Sequence, residues 1–208
     1  MRLFLASSSP RRREILALLG LPFETIDPDF DETPSAQRPA KDEVLDFALG
    51  KAQSVAREKP VSIVIASDTL ILLNGIKIGK PEDANDAKRI LRALAGKAHR
   101  IFTSVALLDA TGGPGLRIVE EVSVKMRAFT DTEIERYLSL NESFDKAGAY
   151  SIQGEGAALI ETIEGDYLAA VGLPLKPIAG YLTSRGISFP LNVEKLYAEK
   201  SFRNWRDF

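Results

Sequence analysis

The first third of the chain alternates short apolar runs with segments whose apolar residues recur at helical spacing. Residues 2–6 (RLFLA) and 61–66 (VSIVIA) are apolar runs of strand length, and the second is typical of a strand buried on both faces. Between these runs, the spacing predicts helices over residues 10–19 and 41–57 and a short strand over residues 22–26. The alternation therefore indicates an α/β fold.

The middle of the chain carries strong turn and cap signals. The Asn-Gly pair at 74–75 separates two apolar runs and predicts a hairpin with a tight two-residue turn. Asp83 is a candidate N-cap for a helix that Gly96 should end, and strand-like runs follow over residues 100–108 and 117–129. Hairpins after an early strand–helix alternation predict a mixed twisted sheet with flanking helices.

The C-terminal third of the chain mixes helix signals with shorter strand-like runs. Thr130 and Glu133 are spaced as a capping box that opens a helix, and a last helix is expected after Pro174. Residues 147–171 are expected to form further strands separated by glycine-containing turns. From Asn192 onward, charged and aromatic residues alternate, which suggests a helix packed on the body or on a partner.

Composition narrows the chemistry that the chain can perform. The 208 residues suffice for one sizeable domain, and the formal net charge of −2 argues against a broadly basic nucleic-acid-binding surface. The sequence has no cysteine and a single histidine, His99, so disulfides, cysteine nucleophiles, thiolate zinc sites and multi-histidine metal sites are excluded. Any metal must be held by carboxylates, which suit Mg²⁺ or Mn²⁺.

Several familiar functional signals are missing from the sequence. It contains no nucleophile elbow, P-loop or dinucleotide-binding glycine motif, and His99 has no serine or aspartate motif partner nearby, so we interpret it as a structural residue. The N-terminal apolar run is too short for a signal peptide, and no apolar run reaches transmembrane length. We expect a cytoplasmic protein without a membrane or nucleic-acid partner.

Three consecutive arginines, Arg11 to Arg13, stand in the first turn of the helix predicted to begin at Pro10. The positive end of the helix dipole lies there, so each exposed arginine costs about 0.3–1 kcal/mol. One interpretation is a solvated basic face, or pairing with the acidic loop over residues 27–32. The other is a polyanion site, because a serine-rich turn before a helix offers free N–H groups and guanidinium matches phosphate. The residues alone favour neither interpretation.

Lys51 and Asp68 are charged residues at positions where the pattern predicts burial. Lys51 falls on the apolar face of the helix over residues 41–57, either extended along the edge of the core or aimed into a cleft. Asp68 follows the buried run 61–66, at the carboxyl end of a predicted strand, where α/β sheets gather their ligands. It is either a turn residue before the hairpin or a carboxylate that acts as a base or metal ligand.

Taken together, seven segments of the sequence resemble the Maf family of nucleoside triphosphate pyrophosphatases. In chain order they are LASSSPRR, DFDE, ASDTL, GKP, RAFTDTEIERYL, DKAGAYSIQG and AVGLPL. The resemblance implies a fold similar to Maf and inosine triphosphatase proteins, with two lobes around a central cleft, and a homodimer. It also implies hydrolysis of a nucleoside triphosphate to the monophosphate and pyrophosphate, assisted by a divalent metal cation, Mg²⁺ or Mn²⁺.

The extent of the resemblance predicts the domain organisation. The matching segments run from about residue 3 to residue 185, and no linker divides them. We therefore expect a single Maf-like catalytic domain over residues 1–190. Residues 191–208 form a C-terminal extension to which the resemblance gives no role.

The resemblance further implies roles for individual residues. Asp68 looks like the catalytic base and a metal ligand, and Glu32 is similar to the acidic residue that helps to hold the metal. The residues that match the family's triphosphate-binding positions are Ser8, Arg11, Arg12, Lys51 and Lys80. The residues at positions linked to nucleotide selection are Arg11, Thr69 and Gln153.

The segment DKAGAYSIQG resembles the branch of the family that acts on dTTP and UTP. The amide of Gln153 donates and accepts hydrogen bonds together, which suits the adjacent O4 and N3–H groups of thymine and uracil. We therefore expect a dTTP and UTP pyrophosphatase, which would also serve to clear noncanonical nucleotides. The alternatives are an enzyme for 7-methyl-GTP or a broader set of nucleotides, and a nucleotide-binding regulator of cell division.

Overall fold

The computed structural model describes residues 2–35, 37–110, 112–113 and 115–208, which form one seven-stranded sheet with helices on both faces. The strands are β1 (Arg2–Ala6), β2 (Glu24–Ile26), β3 (Ser62–Leu73), β4 (Ile76–Ile78), β5 (Ala98–Asp109), β6 (Leu116–Met126) and β7 (Ile160–Glu164). The helices are α1 (Pro10–Ala17), α2 (Ala40–Ala56), α3 (Ala84–Leu94), α4 (Asp131–Leu138), α5 (Tyr167–Val171), α6 (Leu175–Ser184) and α7 (Val193–Glu199). None of the helices in these described ranges is long and apolar enough to cross a membrane.

Local signals in the sequence explain where several elements begin and end. Asn74 and Gly75 have φ angles of 50° and 82°, as the predicted tight turn between β3 and β4 requires. Asp83 caps α3 by accepting a hydrogen bond from a backbone N–H of its first turn, and Thr130 and Glu133 make both bonds of the capping box on α4. The predicted mixed sheet with flanking helices is confirmed.

Two expectations about strands are wrong. β3 continues to Leu73, so Asp68 lies within the strand rather than after it, because β5 pairs with β3 along almost its whole length. Residues 147–171 contain one strand, β7, together with 3₁₀ turns and α5. Gly148 and Ala149 have φ angles of 75° and 58°, and this left-handed backbone interrupts any extended run there.

The sheet opens beside the middle of β3. The strand order is β2-β1-β3-β5-β6-β7, with β4 paired to β3 outside this order. One edge of β3 pairs in parallel with β1 over residues 62–66 and antiparallel with β4 over residues 71–73, while β5 occupies the other edge. On the first edge, residues 67–70 have no strand partner in the described part of the chain. This opening, which we call the sheet gap, forms the floor of a cleft.

Side chains of β3 enter the sheet gap from opposite faces of the sheet. Ala66 packs with α2 in an apolar cluster, and Asp68, two residues later, faces the same side. Ile65 belongs to the larger core on the other face, which includes residues of α1, α3 and α6, and Ser67 and Thr69 continue that row. The carboxylate of Asp68 therefore reaches the sheet gap from one face of the sheet, and the hydroxyls of Ser67 and Thr69 reach it from the other face.

The C-terminal segment packs on the body of the molecule. Trp205 is buried and stacks on Tyr167, with ring centroids 5.1 Å apart and planes 12° apart. Tyr197 of α7 meets Trp205 edge-on, with centroids 4.9 Å apart. These aromatic contacts hold α7 and the last turn of the chain against α5.

Candidate active site

All the residues singled out as candidates for substrate, metal or base recognition line one cleft of about 700 Å³ above the sheet gap. They are Ser8, Arg11, Arg12, Glu32, Lys51, Asp68, Thr69, Lys80 and Gln153. Arg13 is exposed, and His99 is buried in the core, where its Nε2 lies 2.7 Å from the hydroxyl of Tyr150. Burial lowers the pKa of His99 to about 4, so the ring is neutral at physiological pH, as a structural residue should be.

A buried lysine joins two carboxylates at the floor of the cleft. Nζ of Lys51 lies 2.6 Å from Oδ1 of Asp68 and 2.5 Å from Oε1 of Glu32. The side chain of Lys51 is 7% exposed, whereas that of Glu32, on the acidic loop, is 46% exposed. An ammonium is stable in so buried a place only when carboxylates compensate its charge. The structure therefore supports the interpretation in which the ammonium of Lys51 points into a cleft.

Burial and the neighbouring cations act in opposite directions on the carboxyl group of Asp68. Burial raises the pKa of Asp68 above its ordinary value, and the charges of Lys51 and Arg12 oppose this shift. The hydrogen bond with Lys51 uses Oδ1, which leaves Oδ2 without a protein partner among the described residues. A carboxylate with a raised pKa and one available oxygen is suited to accept a proton.

Arg12 is held by neutral acceptors and so keeps its full charge in the cleft. Its Nε donates to the carbonyl of Gly172 at 3.0 Å, and its terminal nitrogens donate to Oγ of Ser7 at 3.4 Å and to Oγ1 of Thr69 at 3.3 Å. Burial lowers the pKa of Arg12 while the charge of Asp68 raises it, and a guanidinium stays protonated at neutral pH. The side chain is thus a fixed cation available to an anion.

Sequence reasoning assigned Thr69 only to nucleotide selection and missed that it holds Arg12 in place together with Ser7 and Gly172. The carbonyl of Gly172 also accepts from Oγ of Ser67 at 2.8 Å, and the φ angle of Gly172, 130°, favours glycine. Thr69 Oγ1 lies 3.2 Å from Oγ1 of Thr103, which donates to a carbonyl of α5. The only signal for Gly172 in the sequence is its place in the segment AVGLPL.

A second buried ion pair, also missed from the sequence, fastens the segment that follows the acidic loop to the wall of the cleft. Nζ of Lys77, on β4, lies 2.8 Å from Oε2 of Glu43, whose side chain is fully buried. The same Oε2 accepts from the backbone N–H of Ser35 at 2.8 Å, and Lys77 donates to the carbonyl of Ser35 at 2.6 Å. Because Ser35 follows Glu32 closely in the chain, this pair restricts the loop that presents Glu32.

The remaining candidates lie toward the opening of the cleft. Ser8 and Lys80 are exposed, and Arg11 is half-buried, with its pKa lowered by burial. Nε2 of Gln153 lies 3.5 Å from Oε2 of Glu14, at the limit of a hydrogen bond, so this amide is only weakly held by another side chain.

The donor set at the floor of the cleft fits a divalent cation that arrives with a phosphate ligand. Within the described ranges, no three histidine, aspartate or glutamate side chains are grouped as a complete metal site. Asp68 and Glu32 are nevertheless close enough to share Lys51. Mg²⁺ in such sites typically takes one or two carboxylates and completes its coordination with water and substrate phosphates.

Comparison with known proteins identifies the family. Among solved structures, the Staphylococcus aureus Ham1 protein aligns with a TM-score of 0.43 and 16% identity, over 61% of this chain and 72% of that chain. The dTTP/UTP pyrophosphatase of Dictyoglomus turgidum is 44% identical over 187 residues, which cover 89% of this chain and 97% of that protein. The dTTP/UTP pyrophosphatase of Chromobacterium violaceum is 42% identical over 202 residues, covering 91% and 97%. The family described as Maf-like protein matches residues 2–185, and the chain therefore belongs to the Maf family.

Proposed function

We propose that this chain is a nucleoside triphosphate pyrophosphatase that hydrolyses dTTP and UTP to the monophosphate and pyrophosphate. Two of its Maf-family relatives, both named dTTP/UTP pyrophosphatase, are 44% and 42% identical to it over most of its length. The observation that carries the proposal is the buried carboxylate of Asp68 at the floor of a cleft lined by arginine and lysine side chains. A base below several fixed cations suits the attack of water on a polyphosphate.

The triphosphate binds along the side of the cleft where α1 begins. Arg12 offers a guanidinium whose hydrogen bonds within the protein go to neutral oxygens, so its charge awaits an anion. Arg11, Ser8 and the first N–H groups of α1 lie beside it, and Lys80 lines the same cleft. The arginines that are unfavourable for an isolated helix then become counter-charges for the substrate.

Asp68 and Glu32 are the residues that would hold a divalent cation, together with the phosphates of the substrate. A cation bound there would lower the pKa of a water molecule and stabilise negative charge on the phosphate oxygens. Lys51, which joins both carboxylates, limits their mutual repulsion and keeps them at the floor of the cleft.

Hydrolysis occurs between the α- and β-phosphates. A water molecule attacks the α-phosphorus and gives its proton to the carboxylate of Asp68, while the bond from that phosphorus to the bridging oxygen breaks and pyrophosphate leaves. Arg12, Lys51 and Lys80 neutralise the charge that grows on the departing pyrophosphate. The raised pKa of Asp68 makes it a better proton acceptor than an ordinary exposed aspartate.

The choice of nucleotide rests on Arg11, Thr69 and Gln153, which lie in the same cleft. The amide of Gln153 pairs with O4 and N3–H of thymine or uracil, which suits dTTP and UTP. We further propose that the enzyme acts in the cytoplasm, on free nucleotides rather than nucleic acid, and as a homodimer.

The test is pyrophosphate release from a panel of nucleotides, with and without Mg²⁺ or Mn²⁺. We expect release from dTTP and UTP, with little from GTP, and loss of activity when the metal is chelated. Preferred hydrolysis of 7-methyl-GTP would contradict the proposed substrate. Nucleotide-stabilised melting without any pyrophosphate release would instead indicate a binding protein.

A further inference from the structure

One side chain of the C-terminal segment reaches the loop that carries Gln153. Nδ2 of Asn204 donates to the carbonyl of Ile152 at 3.2 Å and to the carbonyl of Gly154 at 3.2 Å. The two carbonyls belong to the residues on either side of Gln153, and an amide nitrogen has two protons to donate. The side chain of Asn204 is therefore hydrogen-bonded to the backbone on both sides of Gln153, which lines the cleft.

The backbone on both sides of Asn204 is fixed against α5. Asn204 has a φ angle of 57°, a left-handed conformation that asparagine adopts more readily than most residues. The hydroxyl of Tyr167 donates to the carbonyl of Arg203 at 2.5 Å, and the ring of Trp205 stacks on the same tyrosine. This arrangement aims the amide of Asn204 at the loop.

Gln153 has little other support in the middle of this loop. Its own amide makes one contact of 3.5 Å, with a carboxylate on α1. The loop is fixed further out, where the N–H of Ser151 donates to the hydroxyl of Tyr137 at 2.9 Å and the N–H of Glu155 donates to Glu142 at 3.0 Å. Between these two points, Asn204 donates to both carbonyls that flank Gln153, and one of them, that of Gly154, also accepts from the backbone N–H of Ala157 at 3.1 Å.

We propose that Asn204 is a positioning residue that orients Gln153 for recognition of the nucleotide base. The C-terminal segment, which follows the family match ending at residue 185, thereby sets nucleotide preference without touching the nucleotide. This inference rests on the proposed function, since it requires a nucleoside triphosphate whose base lies at Gln153. Selection by hydrogen bonding depends on accurate placement of the groups that read the base.

The preference of the enzyme for thymine over cytosine is a direct test of how Gln153 is oriented. Thymine presents O4 as an acceptor beside the N3–H donor, and cytosine presents the opposite order, an amino donor beside the N3 acceptor. A Gln153 amide held in one orientation distinguishes the two, whereas a loosely held amide turns over and accepts both. Loss of Asn204 is therefore expected to reduce the preference for dTTP over dCTP more than it reduces kcat.

The experiment compares two Asn204 variants with a control from the same segment. Asn204→Gly tolerates the left-handed backbone and removes the amide, while Asn204→Asp keeps the shape and replaces both donors by a carboxylate. Arg206→Ala is the control, because Nε of Arg206 donates to the carbonyl of Glu199 at 3.0 Å rather than to the loop. The kcat and KM values for dTTP and dCTP are measured for the wild type and each variant.

We expect the ratio of kcat/KM for dTTP to that for dCTP to fall about fivefold in both Asn204 variants, since two hydrogen bonds are lost. The Arg206→Ala ratio should equal that of the wild type. In a Gln153→Ala background, Asn204→Gly should cause no further change, because the two residues act through one another.

A wild-type ratio in folded Asn204→Gly, even with a lower Tm, would overturn the inference and leave Asn204 a purely structural role. If Asn204→Gly does not fold, the ratio in Asn204→Asp decides in the same way. The proposed function is judged separately, on the wild type alone. A wild type that releases no pyrophosphate from any nucleotide refutes that function, whatever the variants do.

Discussion

Two buried lysine–carboxylate pairs lie in the same cleft and serve different purposes. Lys51 joins Asp68 and Glu32, and Lys77 joins Glu43, with nitrogen–oxygen distances between 2.5 and 2.8 Å. Both lysines are largely shielded from solvent. The pairs differ in what surrounds the carboxylates.

The carboxylate of Glu43 is enclosed, whereas that of Asp68 is open on one side. Oε2 of Glu43 accepts from Lys77 and from the backbone N–H of Ser35, and Oε1 is buried without a hydrogen-bond partner among the described residues. Asp68 instead keeps Oδ2 at the sheet gap, beside the cations of the cleft. An enclosed pair contributes to the shape of the site, and an open pair is available to the reaction.

The largest expected effect is the loss of turnover in Asp68→Asn. An amide cannot accept the proton of the attacking water, so kcat should fall about a thousandfold, as expected for the loss of a general base. Nucleotide binding should remain measurable by calorimetry, because the arginines and lysines are unchanged. Turnover close to the wild-type value in a folded Asp68→Asn protein would mean that the open pair is not catalytic.

The enclosed pair should affect stability more than turnover. Lys77→Met leaves Glu43 buried and unpaired, which should lower the free energy of unfolding by about 3 kcal/mol. Lys125→Met is a matched control, since the pair of Lys125 with Glu161 is exposed and should contribute less than about 1 kcal/mol. Denaturant titration measures both changes. A thousandfold loss of kcat in folded Lys77→Met would erase the distinction between the two pairs.

The cations beside the open pair should act mainly on substrate binding. Arg12→Ala is expected to raise KM about thirtyfold, in the range for loss of one partner of a charged hydrogen-bonded contact. In thermal melting, a nucleotide should stabilise the wild type more than an Arg11→Ala/Arg12→Ala variant. Equal stabilisation of the wild type and the double variant would mean that Arg11 and Arg12 form a solvated basic surface and do not bind the substrate.

The smallest expected effect is on the pH dependence of the free energy of unfolding. Because burial raises the folded-state pKa of Asp68, the folded state binds its proton more tightly than the unfolded chain does. The contribution of Asp68 to stability is therefore greatest below its ordinary pKa and declines as pH rises through the raised value. Asp68→Asn should remove this decline, which denaturant titrations of both proteins across that pH range would detect. A decline in Asp68→Asn that equals or exceeds that of the wild type would contradict the raised pKa.

The parts of the molecule that local sequence could predict are those that local interactions determine. The turn at 74–75 needs two residues of positive φ, and Asn-Gly supplies them; the cap at Asp83 needs only its own first turn. The depth of Asp68 within β3 was not predictable in this way, because the hydrogen bonds that extend the strand come from β5, more than thirty residues later. The resemblance to the Maf family brought together the cleft residues that spacing alone left ambiguous.

Contacts between distant segments account for what sequence reasoning missed. Nothing near Glu43 in the sequence indicates that Lys77 will meet it, and an alternating strand pattern gives no sign that Lys77 is shielded. The sequence likewise gives no sign that Asn204, in the C-terminal segment, donates hydrogen bonds to the loop over residues 152–154. Both contacts depend on how the helices and the sheet pack together, and the pattern of apolar and polar residues does not determine that packing.

The hydrogen bond from Arg12 to Gly172 joins residues 160 positions apart in the chain. A chain emerging from the ribosome completes its first strand and helix early, but it cannot fix this arginine until the segment after α5 has been made. The proposed phosphate-binding site around Arg12 is therefore completed late in synthesis and folding. Under the proposed function, a bound nucleotide would stabilise only chains that have reached this stage, and partly folded chains would gain no protection from it.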